Sequence, residues 1–434
     1  MLITPEEYEA LIFNNLQPKL TETIRVPFHK SSGYTLASDV HAELNVPSFT
    51  NSAMDGFAVR TADFYGEAPY HFRVITDIAA GYSVNSSDNQ NADDAQGTDT
   101  GTLGIAARIM TGAPVPSWAD AVIKVEDTNA PHGASRMPDT VKINILPKVG
   151  QNIRRAGEDV HVGDVVLRAG HTLNAYALST LVSTGHGSVE VRQKPRVAVI
   201  STGSELVDAG EALGEGQIPD SNSVLISHLA QEAGAEVVGI FRACDTAENF
   251  GATLIKAAAV ADIVITSGGV SMGAYDPVKE FGLANGFTFQ KVAMQPGKPQ
   301  GHGLVSDGEH KTCVLCLPGN PVSVAVSFFL FVSPVLDAML GKTKVSRAVP
   351  VKVKAGADWK SASGRRQYLP GRLTSNGSEL QITPIHSLGS GSHLVASLAQ
   401  ANALAVVDDE TVFVTRGDMV SVYQISDLLR ASER

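Results

Sequence analysis

Three cysteines in 434 residues are too few for a disulfide framework. Cys313 and Cys316 form a C-x-x-C inside an apolar, strand-like run. A spacing of three there sends the thiols to opposite faces, which argues against redox chemistry. The 12 histidines show neither H-x-x-x-H nor H-x-H pairing, which argues against a zinc site. No basic tract offsets a net charge of −11, so general nucleic-acid binding is disfavoured and an anionic ligand needs a local cationic pocket. No apolar run approaches the roughly 20 residues that span a bilayer. Residues 1–10 carry neither a basic nor an apolar signal region, so a cytoplasmic, non-membrane protein is expected.

What is present is length and texture. The chain exceeds one ordinary core, so several domains are expected, and 43% hydrophobic with 18% charged residues describes a globular protein. Thr4, Pro5 and Glu7 form a capping box that opens an amphipathic helix to about Leu16. Residues 23–46 alternate as short strands. Asp55 before Gly56 reads locally as a turn, and Thr111 sits where a strand meets a Gly/Pro turn. Residues 83–102 are polar and nearly without large apolar side chains, which predicts a mobile loop. Short β segments continue to about 169.

From Pro195 the pattern becomes strand, helix, strand, helix, strand, the signature of a parallel sheet with ligands at the carboxyl ends of its strands. The stretch 262–276 organises it. A β-branched run, 263–266, predicts a buried strand and ends in a loop containing Ser267, Gly268, Gly269, Ser271 and Gly273. Such a loop suits an oxyanion, and a bare chain reversal explains it equally well. Asp276 before Pro277, and Asn320 before Pro321, read as helix caps with proline in the first turn. Residues 334–341 are expected to end the latter helix. Alternating segments over 349–423 suggest a small barrel or sandwich.

Seven motifs occur in order: NSAMDGFA (51–58), RIMTGAPVP (108–116), IRRAGED (153–159), STGSE (201–205), SGGVSMG (267–273), PGKP (296–299) and LPGNPVS (317–323). Together they resemble the MoeA family, the molybdopterin molybdenumtransferases, related to the E domain of gephyrin. The resemblance implies a multidomain α/β and β protein: an elongated N-terminal domain (1–45 and 146–185), an inserted β-rich domain (46–145), a doubly wound molybdopterin-binding domain (186–341) and a C-terminal β-barrel (342–434). It implies a homodimer, with a site shared between the subunits. It implies Mg²⁺-dependent insertion of molybdate into adenylylated molybdopterin with loss of AMP, the substrate coming from a molybdopterin adenylyltransferase.

Carried over motif by motif, the resemblance makes Asp55, Thr111, Asp159, Glu205, Asp245 and Asp276 catalytic, with Glu205 and Asp276 toward the metal. Ser201, Gly203, Asp220, Ser267, Gly268, Gly269, Ser271, Gly273, Lys291, Lys298, Pro318, Pro321, Arg365 and Ser392 are implied to bind substrate. Carboxylates suit a hard, oxygen-seeking cation that bridges phosphates. Two positions depart from the family pattern: Ser204 replaces an acid, and Gln295 replaces a lysine expected near the oxyanion. A non-catalytic molybdopterin carrier of the same fold is the alternative, and an unrelated doubly wound phosphotransfer enzyme is a third reading.

Overall fold

The computed structural model describes residues 2–81, 104–131, 133, 136–270, 276–307, 310–342, 350–377, 379–386, 391, 392 and 394–425. The polar segment 83–102, Ser271 and Gly273 lie outside the described residues.

Helix α1 (Pro5–Leu16) starts as its sequence predicts: the Thr4 hydroxyl accepts from Glu7 N–H at 3.1 Å and the Glu7 carboxylate accepts from Thr4 N–H at 2.7 Å. Its buried stripe Tyr8, Ile12 and Leu16, spaced i, i+4 and i+8, packs not on the N-terminal strands but into the central core with Val197, Val199 and Ile263. A backbone bridge, Ile3 N–H to Lys291 O at 3.1 Å and Ala293 N–H to Ile3 O at 2.7 Å, holds it there.

The N-terminal region contains a five-stranded sheet ordered Ala121–Lys124, Gly56–Val59, Gly104–Ile109, Tyr70–Ile78 and Thr140–Ile143. Asp55 lies in a bend, as its sequence suggests, and the strand begins at Gly56, which pairs with both Ile109 and Lys124. A Cβ there would stand 1.8 Å from the Ile123 carbonyl oxygen, so the paired backbones approach only because the residue is glycine. Beside this sheet, helix α2 (Ala175–Ser183) packs in a second small core with Leu36, Val189 and Val191.

The central sheet comprises β1 (Arg196–Thr202), β2 (Glu236–Ala243), β3 (Ile263–Ser267), β4 (Thr288–Lys291), β5 (Pro299–Asp307) and β6 (His310–Leu317), in the order β2-β1-β3-β6-β5-β4. The first four in that order are parallel, and β5 and β4 close one edge antiparallel to their neighbours in sequence. Helices α3 (Ser221–Glu232), α4 (Ala247–Ala258), α5 (Pro277–Ala284) and α6 (Pro321–Ser327) complete the doubly wound layers. Cys313 and Cys316 bury into opposite faces of the sheet. Burial pushes their thiols up to about 11 and about 12, which keeps them protonated and inert.

The helix after Asn320 ends within 334–341, as its sequence suggests, with Leu340 as its C-cap, but it is not regular throughout. Helix α6 passes through a π turn (Phe328–Val332) into a further helical segment (Ser333–Met339). The wider turn admits Pro334, which lacks an N–H and whose ring would crowd a regular turn. This 19-residue stretch, Pro321–Met339, is also long and apolar enough to cross a membrane, contrary to the sequence reading. It is apolar because it threads the core, where Val324, Val326, Phe331, Val335 and Leu336 are buried.

The C-terminal strands form a closed five-stranded barrel: Arg366–Asn376 pairs with Glu379–Pro384, then Val351–Ala355, Met419–Gln424 and Ala403–Val407, which returns to Arg366–Asn376. A short strand, Met294–Gln295, leaves the central domain and pairs with Arg366–Gln367 of the barrel.

Candidate functional site

The carboxyl ends of four adjacent parallel strands meet along one edge. Arg242, Ser201, Ser267 and Leu317 occupy one register row across β2, β1, β3 and β6, and the chain turns just beyond each. Ser201, buried, donates its hydroxyl to Asp220 Oδ2 at 2.6 Å, while Asp220 Oδ1 accepts from Ser223 N–H at 3.0 Å. Asp220 therefore caps α3 and ties that helix to the end of β1. Ser204 N–H and its hydroxyl both donate to Asp245 Oδ2, drawing the loop after β1 to the loop after β2. The serine that replaces an acid is thus a donor to a neighbouring acid.

Glycine geometry shapes the loops. Gly203 has φ 141°, and a Cβ there would lie 2.4 Å from Glu205 Oε2, so the Glu205 carboxylate folds over the Gly203 backbone. Gly268 has φ 91°, and its Cβ would meet Thr202 Oγ1 at 2.7 Å. Asp276 is buried and its Oδ1 accepts from Lys279 N–H at 3.1 Å, so the cap read from sequence is formed. Asn320 behaves differently: it stands before α6 without capping it by its side chain. Instead its Nδ2 donates to the Ser392 hydroxyl at 3.0 Å, and Val322 N–H donates to the Ser392 carbonyl at 3.1 Å. The barrel domain thereby lies against the start of α6 through Ser392, next to the turn that carries Pro318 and Pro321.

Lys291 and Lys298 are exposed at the same edge, because β4 runs parallel to β6 and Lys291 pairs with Pro299 one step beyond the serine row. Three strand spacings of about 4.8 Å separate β4 from β3, so Lys291 stands roughly 14 Å from Ser267, on the rim. Arg365 is half-buried at the mouth of the barrel strand that pairs with Met294–Gln295. Gln295 is half-buried, with its side-chain oxygen shielded from solvent, so this position belongs to the seam between the two domains.

The N-terminal set forms a separate group. Asp55 Oδ1 accepts from Thr111 N–H at 2.7 Å and from the Thr111 hydroxyl at 2.8 Å. These two bonds, the backbone one foremost, hold its carboxyl below the ordinary carboxylate range despite slight burial. Asp159 is exposed and its N–H donates to the Val46 carbonyl at 2.9 Å. The bonds of Asp55 and Asp159 thus run within the N-terminal region, while Asp220, Asp245 and Asp276 are tied into the central crevice.

Sequence reasoning missed Asn222. Its Nδ2 donates to Ser267 Oγ at 2.8 Å and to the Gly319 carbonyl at 2.6 Å, joining α3 to the ends of β3 and β6. Its only signal was a polar residue in the first turn after Asp220. Among the described residues no group of three or more His, Cys, Asp or Glu side chains is arranged to hold a metal on its own.

This fold and crevice define a multidomain protein whose doubly wound domain gathers serines, glycine loops and carboxylates at one sheet edge, with a β-barrel docked beside it. Residues 3–185 match the MoeA N-terminal region (domains I and II), 198–338 a probable molybdopterin-binding domain, and 352–425 the MoeA C-terminal region (domain IV). The chain is 39% identical over 416 residues to molybdopterin molybdenumtransferase 2 of Mycobacterium tuberculosis, covering 93% of this chain and 95% of that protein. It is 34% identical to the molybdopterin molybdenumtransferase of Haemophilus influenzae, covering 99% of this chain and 100% of that protein. The crystal structure of the molybdopterin biosynthesis moeA protein from Pyrococcus horikoshii aligns with a TM-score of 0.77 at 28% identity, covering 98% of this chain and all of that one. The chain belongs to the molybdopterin molybdenumtransferase family.

Proposed function

We propose that this chain is a molybdopterin molybdenumtransferase that inserts molybdate into adenylylated molybdopterin to form molybdenum cofactor, with release of AMP. The observation that carries the reading is the convergence of the β1, β3 and β6 loops at one edge, bearing Ser267, Gly268, Gly269 and Asp276, in a chain that matches its relatives from end to end. Backbone N–H groups at glycine loops and a serine hydroxyl suit phosphate oxygens. Lys291 and Lys298 on the rim draw the anion in, and Arg365 with Ser392 face molybdate from the barrel side.

Mg²⁺ fits this donor set only in company. Glu205 and Asp276 supply hard oxygen ligands, too few for a protein-only cage, and a nucleotide's phosphates complete the shell in the usual manner of Mg²⁺ sites. When bound, the ion neutralises phosphate charge and polarises the bond to be cleaved. Asp276, oriented by Lys279 N–H, would hold the ion together with Glu205. Asp55, Thr111 and Asp159 join the site from the partner subunit of a homodimer, since their own bonds run elsewhere in this chain. A molybdopterin adenylyltransferase supplies the substrate, and the protein acts in the cytoplasm.

Incubation with adenylylated molybdopterin, Mg²⁺ and molybdate, followed by activation of a cofactor-free molybdenum enzyme, tests the reading. Activation above a molybdate-free control supports it, and none at any molybdate concentration refutes it.

A further inference from the structure

Two serines pair near the carboxyl ends of adjacent strands at the crevice, and their hydroxyl protons have different fates. Ser201 spends its proton on Asp220 Oδ2 at 2.6 Å, an acceptor-only group, so it has none left for a ligand. Ser267 receives instead: Asn222 Nδ2 donates to its Oγ at 2.8 Å. The second Asn222 amide hydrogen goes to the Gly319 carbonyl at 2.6 Å, and that contact fixes the amide orientation, because a flipped amide would set oxygen against oxygen. With both Nδ2 hydrogens committed, the Ser267 hydroxyl keeps its own proton to donate.

Asn222 also holds the two loops together where they touch. Gly268 N–H donates to Leu317 O at 3.1 Å, and a Cβ on Gly319 would lie 3.5 Å from Gly268 Cα. Meanwhile Asn222 Oδ1 is buried without a hydrogen-bond partner among the described residues. Leaving an acceptor unsatisfied costs folding stability, so stability alone does not account for an asparagine here.

We propose that Asn222 is a positioning residue. By donating to Ser267 and Gly319 it sets the spacing of the β3 and β6 loops and turns the Ser267 proton toward a phosphate oxygen of the substrate. Ser267, rather than Ser201, is the hydroxyl that binds the anion. This deepens the transferase reading and rests on it for the identity of the substrate, but the contact chemistry requires only a phosphate.

The test is a double-mutant cycle read by calorimetric binding of inorganic pyrophosphate to the full chain, with thermal unfolding of each variant as control. Asn222→Ala and Ser267→Ala should each raise Kd about tenfold, the scale of a hydrogen bond to a charged group. The double variant should raise it by about as much as one alone, because both changes remove one contact. Ser201→Ala should affect unfolding more than binding. Asn222→Asp matches the native side chain in size and keeps the test available if alanine does not fold; it should bind more weakly than wild type at neutral pH. Additive losses, unchanged binding in Asn222→Ala, binding losses that simply follow thermal unfolding, or a wild type that does not bind pyrophosphate would each overturn the proposal. Coupled losses in a protein that forms no cofactor would instead leave the positioning role standing and refute the transferase reading.

Discussion

Asn320 donates to Ser392 across 3.0 Å, joining the start of a central helix to a loop of the barrel domain. A residue that local sequence assigns to capping is used here to dock a domain. Asn320→Ala should cost about 1 kcal/mol or less in global stability, the net worth of one neutral hydrogen bond. Its larger effect should be on the molybdate concentration for half-maximal insertion, because the barrel face is less firmly held. Thermal melts and a molybdate titration on the same preparation check this.

Asp276 separates capping from chemistry. Asparagine caps nearly as well as aspartate, so Asp276→Asn should unfold within about 0.5 kcal/mol of wild type. Turnover should fall by about 100-fold or more, since the amide cannot replace a carboxylate at the metal. A well-folded variant with unchanged turnover would return Asp276 to a purely structural role.

His302 predicts a pH dependence of stability. It is fully buried, its Nε2 lies 2.9 Å from Asn15 Nδ2 and its Nδ1 3.2 Å from the Tyr8 hydroxyl. Burial lowers its pKa to about 4. The unfolded chain takes up the proton first as pH falls below about 6.5, so stability declines from there to about pH 4 and then levels off. The loss should reach about 2 kcal/mol by pH 5 and about 3 kcal/mol at the plateau. Urea unfolding between pH 7.5 and 4 should show this slope in wild type, and His302→Gln should flatten it.

Gly56→Ala should be among the most damaging single changes. Its Cβ would fall 1.8 Å from Ile123 O, inside a strand paired on both sides, with no flexible side chain to yield. A loss above about 3 kcal/mol, or failure to fold, is expected in thermal melts of purified protein.

Local chemistry carried much of the fold. The Thr4–Glu7 capping box, the buried run ending at Ser267 and the Asp276 cap all formed because each depends on neighbours a few residues away. What sequence could not place depends on distant partners. Why position 56 must be glycine was hidden, because the backbone it approaches, at Ile123, is 67 positions on. Helix α1 joined the central core because its stripe matches a surface built almost 200 residues later. That Gln295 lies at the seam with the barrel was equally invisible, because its strand partner Gln367 is 72 residues further along. Asn222 carried no motif signal, since its role exists only where α3, β3 and β6 meet.

The most direct measurement is single-turnover reaction of adenylylated molybdopterin with excess protein and Mg²⁺, following AMP and cofactor together as molybdate is raised. The account predicts one AMP per molybdenum cofactor formed, with both lost in Asp276→Asn. Tight retention of adenylylated molybdopterin with neither AMP nor cofactor produced would contradict it and describe a carrier instead.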